Sequence, residues 1–132
     1  MAERIQPFLM FQGGRAGEAM EFYTSLFDED AVLVKQTFGP EGPGPEGTVM
    51  LGSIRIAGQT VLLSDSPIEH GFDFTPSSSL FVTCTDAPEL DRLAAALEDG
   101  GVFLMEPGDH GFSRRFAWVQ DRFGVSWQLN LE

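Results

Sequence analysis

The feature that most restricts what this chain can become is an order of elements that occurs twice: one strand, one helix, then three strands. Its clearest part is RFAWVQDRFGVSWQLN, residues 115 to 130, where two alternating apolar runs flank the turn Asp121-Arg122-Phe123-Gly124 and read as a β-hairpin. A weaker copy, SIRIAGQTVLLSD at 53 to 65, also sets two strand-like runs around a short glycine-containing turn.

The first half opens with a strand over residues 4 to 12, RIQPFLMFQ, broken by Gly13-Gly14. Ala16, Ala19, Met20, Tyr23, Leu26 and Phe27 then recur at three- and four-residue spacing, predicting a helix with one apolar side. A strand follows at 31 to 38, then the loop GPEGPGPEG at 39 to 47, then strands at 48 to 56 and 59 to 64. Residues 65 to 77 read as an irregular linker. The second half starts with the strand SLFVTC at 79 to 84. Asp86, Pro88 and Glu89 form a capping-box-like helix start, Leu90, Leu93, Ala94 and Leu97 an apolar stripe, and Gly100-Gly101 a stop. Strands at 102 to 105, 115 to 120 and 124 to 130 complete the repeat.

The fold class is therefore α+β: two βαβββ modules, about 4–65 and 78–131, within one domain spanning 1–132. A four-stranded sheet with one helix buries its back face and leaves a front face in search of a partner, so two modules side by side are expected to form a curved mixed sheet around a cup. Side-chain parity sends Gln6, Phe8 and Met10 of the first strand to the front, and Ser79, Phe81 and Thr83 of the fifth. On the last strand it sends Ser126, Gln128 and Asn130 forward and Val125, Trp127 and Leu129 back. That polar trio facing a concavity is the leading site candidate.

Charge narrows the partners. Twenty acidic residues against eight basic give a net charge of −12, spread along the chain, which repels nucleic-acid phosphates and anionic membrane surfaces. One cysteine cannot make an internal disulfide, the start MAERIQPF does not read as a secretion signal, and no long apolar run is present; a cytoplasmic protein is expected.

IQPFLMF, GEAMEFYTSLF, IAGQ, SSSLFVTC, ELDRL, DGG and QDRFGVSWQLN together resemble the PhnB-like branch of the vicinal oxygen chelate superfamily, which includes glyoxalase I, fosfomycin-resistance proteins and extradiol dioxygenases. The resemblance covers nearly the whole chain. It implies the paired βαβββ (glyoxalase/bleomycin resistance/dioxygenase) fold and a homodimer. In metal-dependent relatives, His or Glu ligands face the cup from the first strand of each module and from the last strand. Carried over, those positions fall at about Gln6, Ser79 and Gln128. An amide oxygen or a hydroxyl grips a divalent transition metal far more weakly than imidazole or carboxylate, so no tightly held metal and no other cofactor is expected. Such relatives also carry a demethylubiquinone methyltransferase label. A nucleoside-bearing methyl donor would need a Gly-rich turn in a parallel sheet, for which Gly13-Gly14 is a weak signal in the wrong architecture.

Function is thus expected to be small-molecule binding in a cup lined by Gln6, Phe8, Met10, Ser79, Phe81, Trp118 and Gln128. Two alternatives stand beside it. A glyoxalase-type lyase, isomerase or dioxygenase would need His70, His110, Glu106 or Asp109 to complete a metal site, and a dimeric interaction module would have a vestigial cup. His70 and His110 are otherwise solvated loop residues and Cys84 a buried core thiol. Asp121 and Arg122 shape a turn, and Trp118 is either core or cup wall.

Overall fold

The computed structural model describes residues Met1–Glu132. The elements run β1 (Phe8–Phe11), α1 (Ala16–Thr24), β2 (Ala31–Thr37), β3 (Val49–Ile56), β4 (Gln59–Asp65), β5 (Ser79–Thr83), α2 (Ala87–Glu98), β6 (Val102–Gly108), β7 (Arg115–Gln120) and β8 (Ser126–Leu131). They make two compact units, Met1–Phe72 and Asp73–Glu132, which we call module 1 and module 2. No helix is long and apolar enough to cross a membrane.

The repeat expected from the sequence is present down to strand order. Module 1 forms a four-stranded sheet ordered β1-β4-β3-β2, and module 2 one ordered β5-β8-β7-β6. In each, the first strand lies parallel to the last and the other pairs are antiparallel.

In module 1, α1 buries Ala16, Ala19, Met20 and Tyr23, the side that the spacing marks as apolar. The helix comes so close to β3 that a Cβ on Gly52 would lie 2.7 Å from the Met20 sulfur, so this strand position has no room for a side chain. Leu63, Val61, Ile54 and Phe11 complete this core. In module 2, α2 lays Leu90, Leu93, Ala94 and Leu97 on Trp127, Leu129, Ala117 and Val119, all of them almost fully buried. Burial of each such large side chain contributes about 1.5–3 kcal/mol relative to leaving it exposed. After α2 the chain turns back at Gly101, where a Cβ would sit 2.2 Å from the Gln120 carbonyl oxygen; only glycine fits.

The helix starts differ. Asp86 Oδ1 accepts from the Glu89 amide at 2.8 Å, and Glu89 Oε1 accepts from the Thr85 amide at 2.8 Å. The capping box is thus present, with its return bond one residue earlier than the usual pattern. Helix α1 has no cap of its own; its Ala16 amide donates instead to Asp65 Oδ1 at 2.9 Å, while Asp65 Oδ2 accepts from the Val49 amide at 2.8 Å.

Three strands depart from the sequence expectation by more than one residue. Strand β1 is confined to Phe8–Phe11, because Pro7 has no N–H to donate and pairs only through its carbonyl, which accepts from the Leu62 amide. Gln6 therefore lies outside the strand. Strand β6 continues to Gly108 through Pro107, which is tolerated because β6 is a sheet edge. Strand β8 starts at Ser126, since Gly124 and Val125 belong to the turn: the Asp121 amide donates to the Val125 carbonyl and the Val125 amide to Asp121 Oδ1.

Candidate functional site

Pairing register builds the site. Phe81 stands opposite Gln128 across the parallel β5–β8 pair, Gln128 opposite Trp118, and Trp118 opposite Met105, so these four side chains form one row on the front of the module 2 sheet. The adjacent row is Thr83, Asn130, Phe116 and Gly108, and on the other side lies the row Ser79, Ser126, Gln120 and Val102. A cavity of about 510 Å³ opens over the first two rows, with Phe112 as a further wall. Its size is in the range of small-molecule sites. Its walls carry no ionisable side chain.

Trp118 is a wall of this cavity, not core: it shares the front face with Gln128, whereas Trp127 is fully buried on the other. The indole N–H of Trp118 donates to Ser126 Oγ at 2.8 Å, Ser126 Oγ lies 2.6 Å from Ser79 Oγ, and Ser79 Oγ reaches the Pro76 carbonyl at 3.5 Å. Read in that order each hydroxyl donates once, and the chain of bonds holds the indole in place. Gln128 Nε2 donates weakly to Ser79 Oγ at 3.4 Å, while its Oε1 has no partner within the chain. The side chain of Asn130 makes no hydrogen bond of its own, although its backbone carbonyl takes the Cys84 amide.

Of the residues marked in the sequence, Ser79, Phe81, Trp118 and Gln128 meet on this face, Phe81, Trp118 and Gln128 at the cavity itself and Ser79 beneath it. Phe8 and Met10 share the front of the module 1 sheet, where Phe8 is 52% exposed, and Gln6 precedes that sheet's first strand. The sequence reading missed Met105, Phe112 and Phe116 and left Asn130 out of the lining. Phe116 was readable, being two residues from Trp118 on one strand. Met105 depends on a register shift in β6, and Phe112 comes from a loop.

The loop histidines are engaged locally. His70 Nε2 lies 2.8 Å from Ser66 Oγ, its amide donates to Gln12 Oε1, and its ring stacks on Phe72. His110 Nε2 lies 2.8 Å from the Glu106 carbonyl, and Asp109 Oδ1 accepts the Gly111 amide. Nowhere do three or more His, Cys, Asp or Glu side chains gather so as to hold a metal ion. At Ser79 and Gln128 the donors are a hydroxyl bound into the relay above and a neutral amide, a set that does not fit a catalytic divalent metal. Nor does Gly13-Gly14 fit a nucleoside-bearing methyl donor: the helix start behind it is already closed by the Asp65 carboxylate.

Asp121 shapes the hairpin turn as expected, its two oxygens taking the Phe123 and Val125 amides and the Trp127 indole N–H at 2.9 to 3.0 Å. Cys84 is a buried thiol whose pKa is pushed up to about 11 by burial, with Glu89 adding to the effect, so little thiolate is present at neutral pH. Burial also raises the Asp30 carboxyl, against the lowering by its bonds to the Ala57 and Phe27 amides.

Comparison with known proteins agrees with this architecture. The family model described as 3-demethylubiquinone-9 3-methyltransferase matches residues 3–130. A PhnB protein of Bacillus cereus, described under the same methyltransferase name, superposes with a TM-score of 0.95 at 44% identity, covering 98% of this chain and 100% of that one. An uncharacterized protein of Mycobacterium bovis, Mb0911c, is 30% identical over 122 residues, or 86% of this chain and 74% of that protein. At 17% identity and a TM-score of 0.67, the fold alone is shared with a glyoxylase/bleomycin resistance protein/dioxygenase domain from Frankia, with 99% and 98% of the two chains covered.

Proposed function

The chain belongs to the PhnB-like 3-demethylubiquinone-9 3-methyltransferase family within the vicinal oxygen chelate superfamily, and from that premise we propose that it binds a small molecule on the front of module 2 without a tightly held metal. One observation carries the reading. Two amide side chains, Gln128 and Asn130, stand at an aromatic-walled cavity of about 510 Å³ with hydrogen-bonding capacity that the chain itself does not use. Apolar walls supply most of the affinity for a small ligand, and a few unspent polar groups fix its orientation. No step of bond making is assigned, because no nucleophile, general base or metal-ligand set stands at the cavity.

The test is a thermal-shift and calorimetric screen of small polar and aromatic compounds against the intact chain. Hits should lose about tenfold in affinity in Gln128→Leu, as expected for one lost ligand hydrogen bond. A screen without any stabilising compound would remove the reading. So would hits indifferent to Gln128→Leu, Asn130→Leu and Trp118→Leu alike.

A second reading concerns assembly. Module 1 exposes Phe8, Val34 and Leu51 on one face of its sheet, with Phe8 and Val34 in the row that runs through Leu62 and Ser53. We assign a second copy of the chain as its partner. Light scattering should then report a homodimer, and Phe8→Asp with Val34→Lys a monomer; a wild-type monomer at high micromolar concentration would refute it.

A further inference from the structure

Building on the ligand-binding reading above, we propose that the module 2 cavity takes a methylated ammonium group, a quaternary ammonium of the choline type, held by cation–π contact. The walls have the required form. The rings of Phe112 and Phe116 meet edge to face, centroids 4.8 Å apart and planes at 72°, so one braces the other, and Phe112, at 60% exposure, keeps ring surface open to a ligand. Trp118 projects from the same face of β7 as Phe116, and Phe81 stands in the Trp118 row across Gln128. Met105 closes that row with a polarisable thioether.

Charge selects among ligands that would fit. No Lys or Arg lines the cavity, so an anionic ligand finds no partner there, while the chain's net charge of −12 repels it at a distance and attracts a cation. A cation meets no like charge at the walls. It meets instead the aromatic side chains of Phe81, Phe112 and Trp118, whose π systems attract a trimethylammonium group through its methyl surface without its having to shed a tight hydration shell. The free carbonyl oxygens of Gln128 and Asn130 add the negative ends of two dipoles. A neutral alkyl group of the same shape gains the burial but not the ring attraction. That difference is what separates the proposal from a plain apolar pocket.

The experiment titrates the full chain with choline chloride and, in parallel, with 3,3-dimethylbutan-1-ol, which has the same shape but no charge, by calorimetry and by the ring-current shift of the methyl protons. Choline should bind about tenfold more tightly than the alcohol. Phe112→Leu keeps the apolar wall but removes a π face at a side chain that is 60% exposed and so is not needed for folding. It should lower choline affinity severalfold and that of the alcohol by clearly less, so that the preference for choline shrinks, with the thermal transition retained. Equal binding of the two compounds would overturn the ammonium assignment and leave ligand binding standing, as would screen hits alongside an inert choline, or a choline preference untouched by Phe112→Leu. Failure of choline, the alcohol and every compound of the screen would remove both proposals.

Discussion

Modules 1 and 2 share one strand order, yet they secure the start of their helices by different means. Module 2 does it within four residues of chain: Asp86 and Glu89 cap α2 and the adjoining turn. Module 1 does it across 49 residues, with Asp65 at the end of β4 holding both the first amide of α1 and the first amide of β3. With QPFLMF matched to SLFVTC, so that Phe8 corresponds to Phe81, Leu62 corresponds to Gln128 opposite them and Leu131 becomes the module 2 counterpart of Asp65. So the position that carries a carboxylate in one module is plain core in the other. The lesson is that one topology can be closed by a local signal or by a tertiary one, and that the tertiary closure ties more of the module to one side chain.

The strongest test of that contrast is Asp65→Ala. It leaves two buried amides without a charged acceptor, each such bond being worth about 1.5–3 kcal/mol, so a loss of about 3–6 kcal/mol is expected in urea unfolding with the m-value unchanged. A cost no larger than that of removing an ordinary cap would break the comparison.

The second test uses the helix-facing end of the first strand in each module, where Phe11 in one corresponds to Cys84 in the other, both buried. Only Cys84 titrates. Its pKa is raised from an ordinary 9.0 to about 11, so the thiol's contribution is fully present below pH 9 and is lost as pH rises through 11. At about 1.4 kcal/mol for each pH unit between those two values, the effect is bounded at about 3 kcal/mol. Melting temperatures from about pH 8 to about pH 11.5 should fall more steeply for the wild type than for Cys84→Ala; parallel curves would contradict the buried-thiol assignment.

Smaller again is Asp86→Ala, which removes a single N-cap and should cost about 1 kcal/mol. Measured beside Asp65→Ala, it gives the ratio between local and distant capping directly. Smallest is Gln128→Leu, which gives module 2 the residue that module 1 carries at Leu62. With only a 3.4 Å hydrogen bond to Ser79 at stake, unfolding stability should change by no more than about 0.5 kcal/mol, while ligand affinity falls. A large destabilisation would make Gln128 a structural residue and take it out of the site.

Much of this was legible in the chain. The 3.6-residue spacing of Leu90, Leu93, Ala94 and Leu97 with Asp86 before and Gly100-Gly101 after fully describes α2, because every signal lies within the element. The alternation around Asp121 likewise located the final hairpin and put Gln128 on its front face. Strand ends were less legible. Pro7 shortened β1 and the Asp121 turn absorbed Val125, since ladder bonds depend on what the partner strand offers. Trp118 was legible only as either core or cup wall, because the choice rests on the pairing register of its strand and on the Ser126 hydroxyl that holds its indole.

By itself the sequence determined the repeat, both helices, the alternation of every strand and the neutral character of the residues at Ser79 and Gln128, since periodicity and residue chemistry are properties of short stretches. Register, the Asp65 closure of module 1 and the meeting of Phe81, Met105, Phe112, Phe116 and Trp118 around two unspent amides were decided only by the tertiary structure. Pairing between strands far apart in the chain sets which side chains become neighbours, and no local pattern encodes a neighbour 49 residues away.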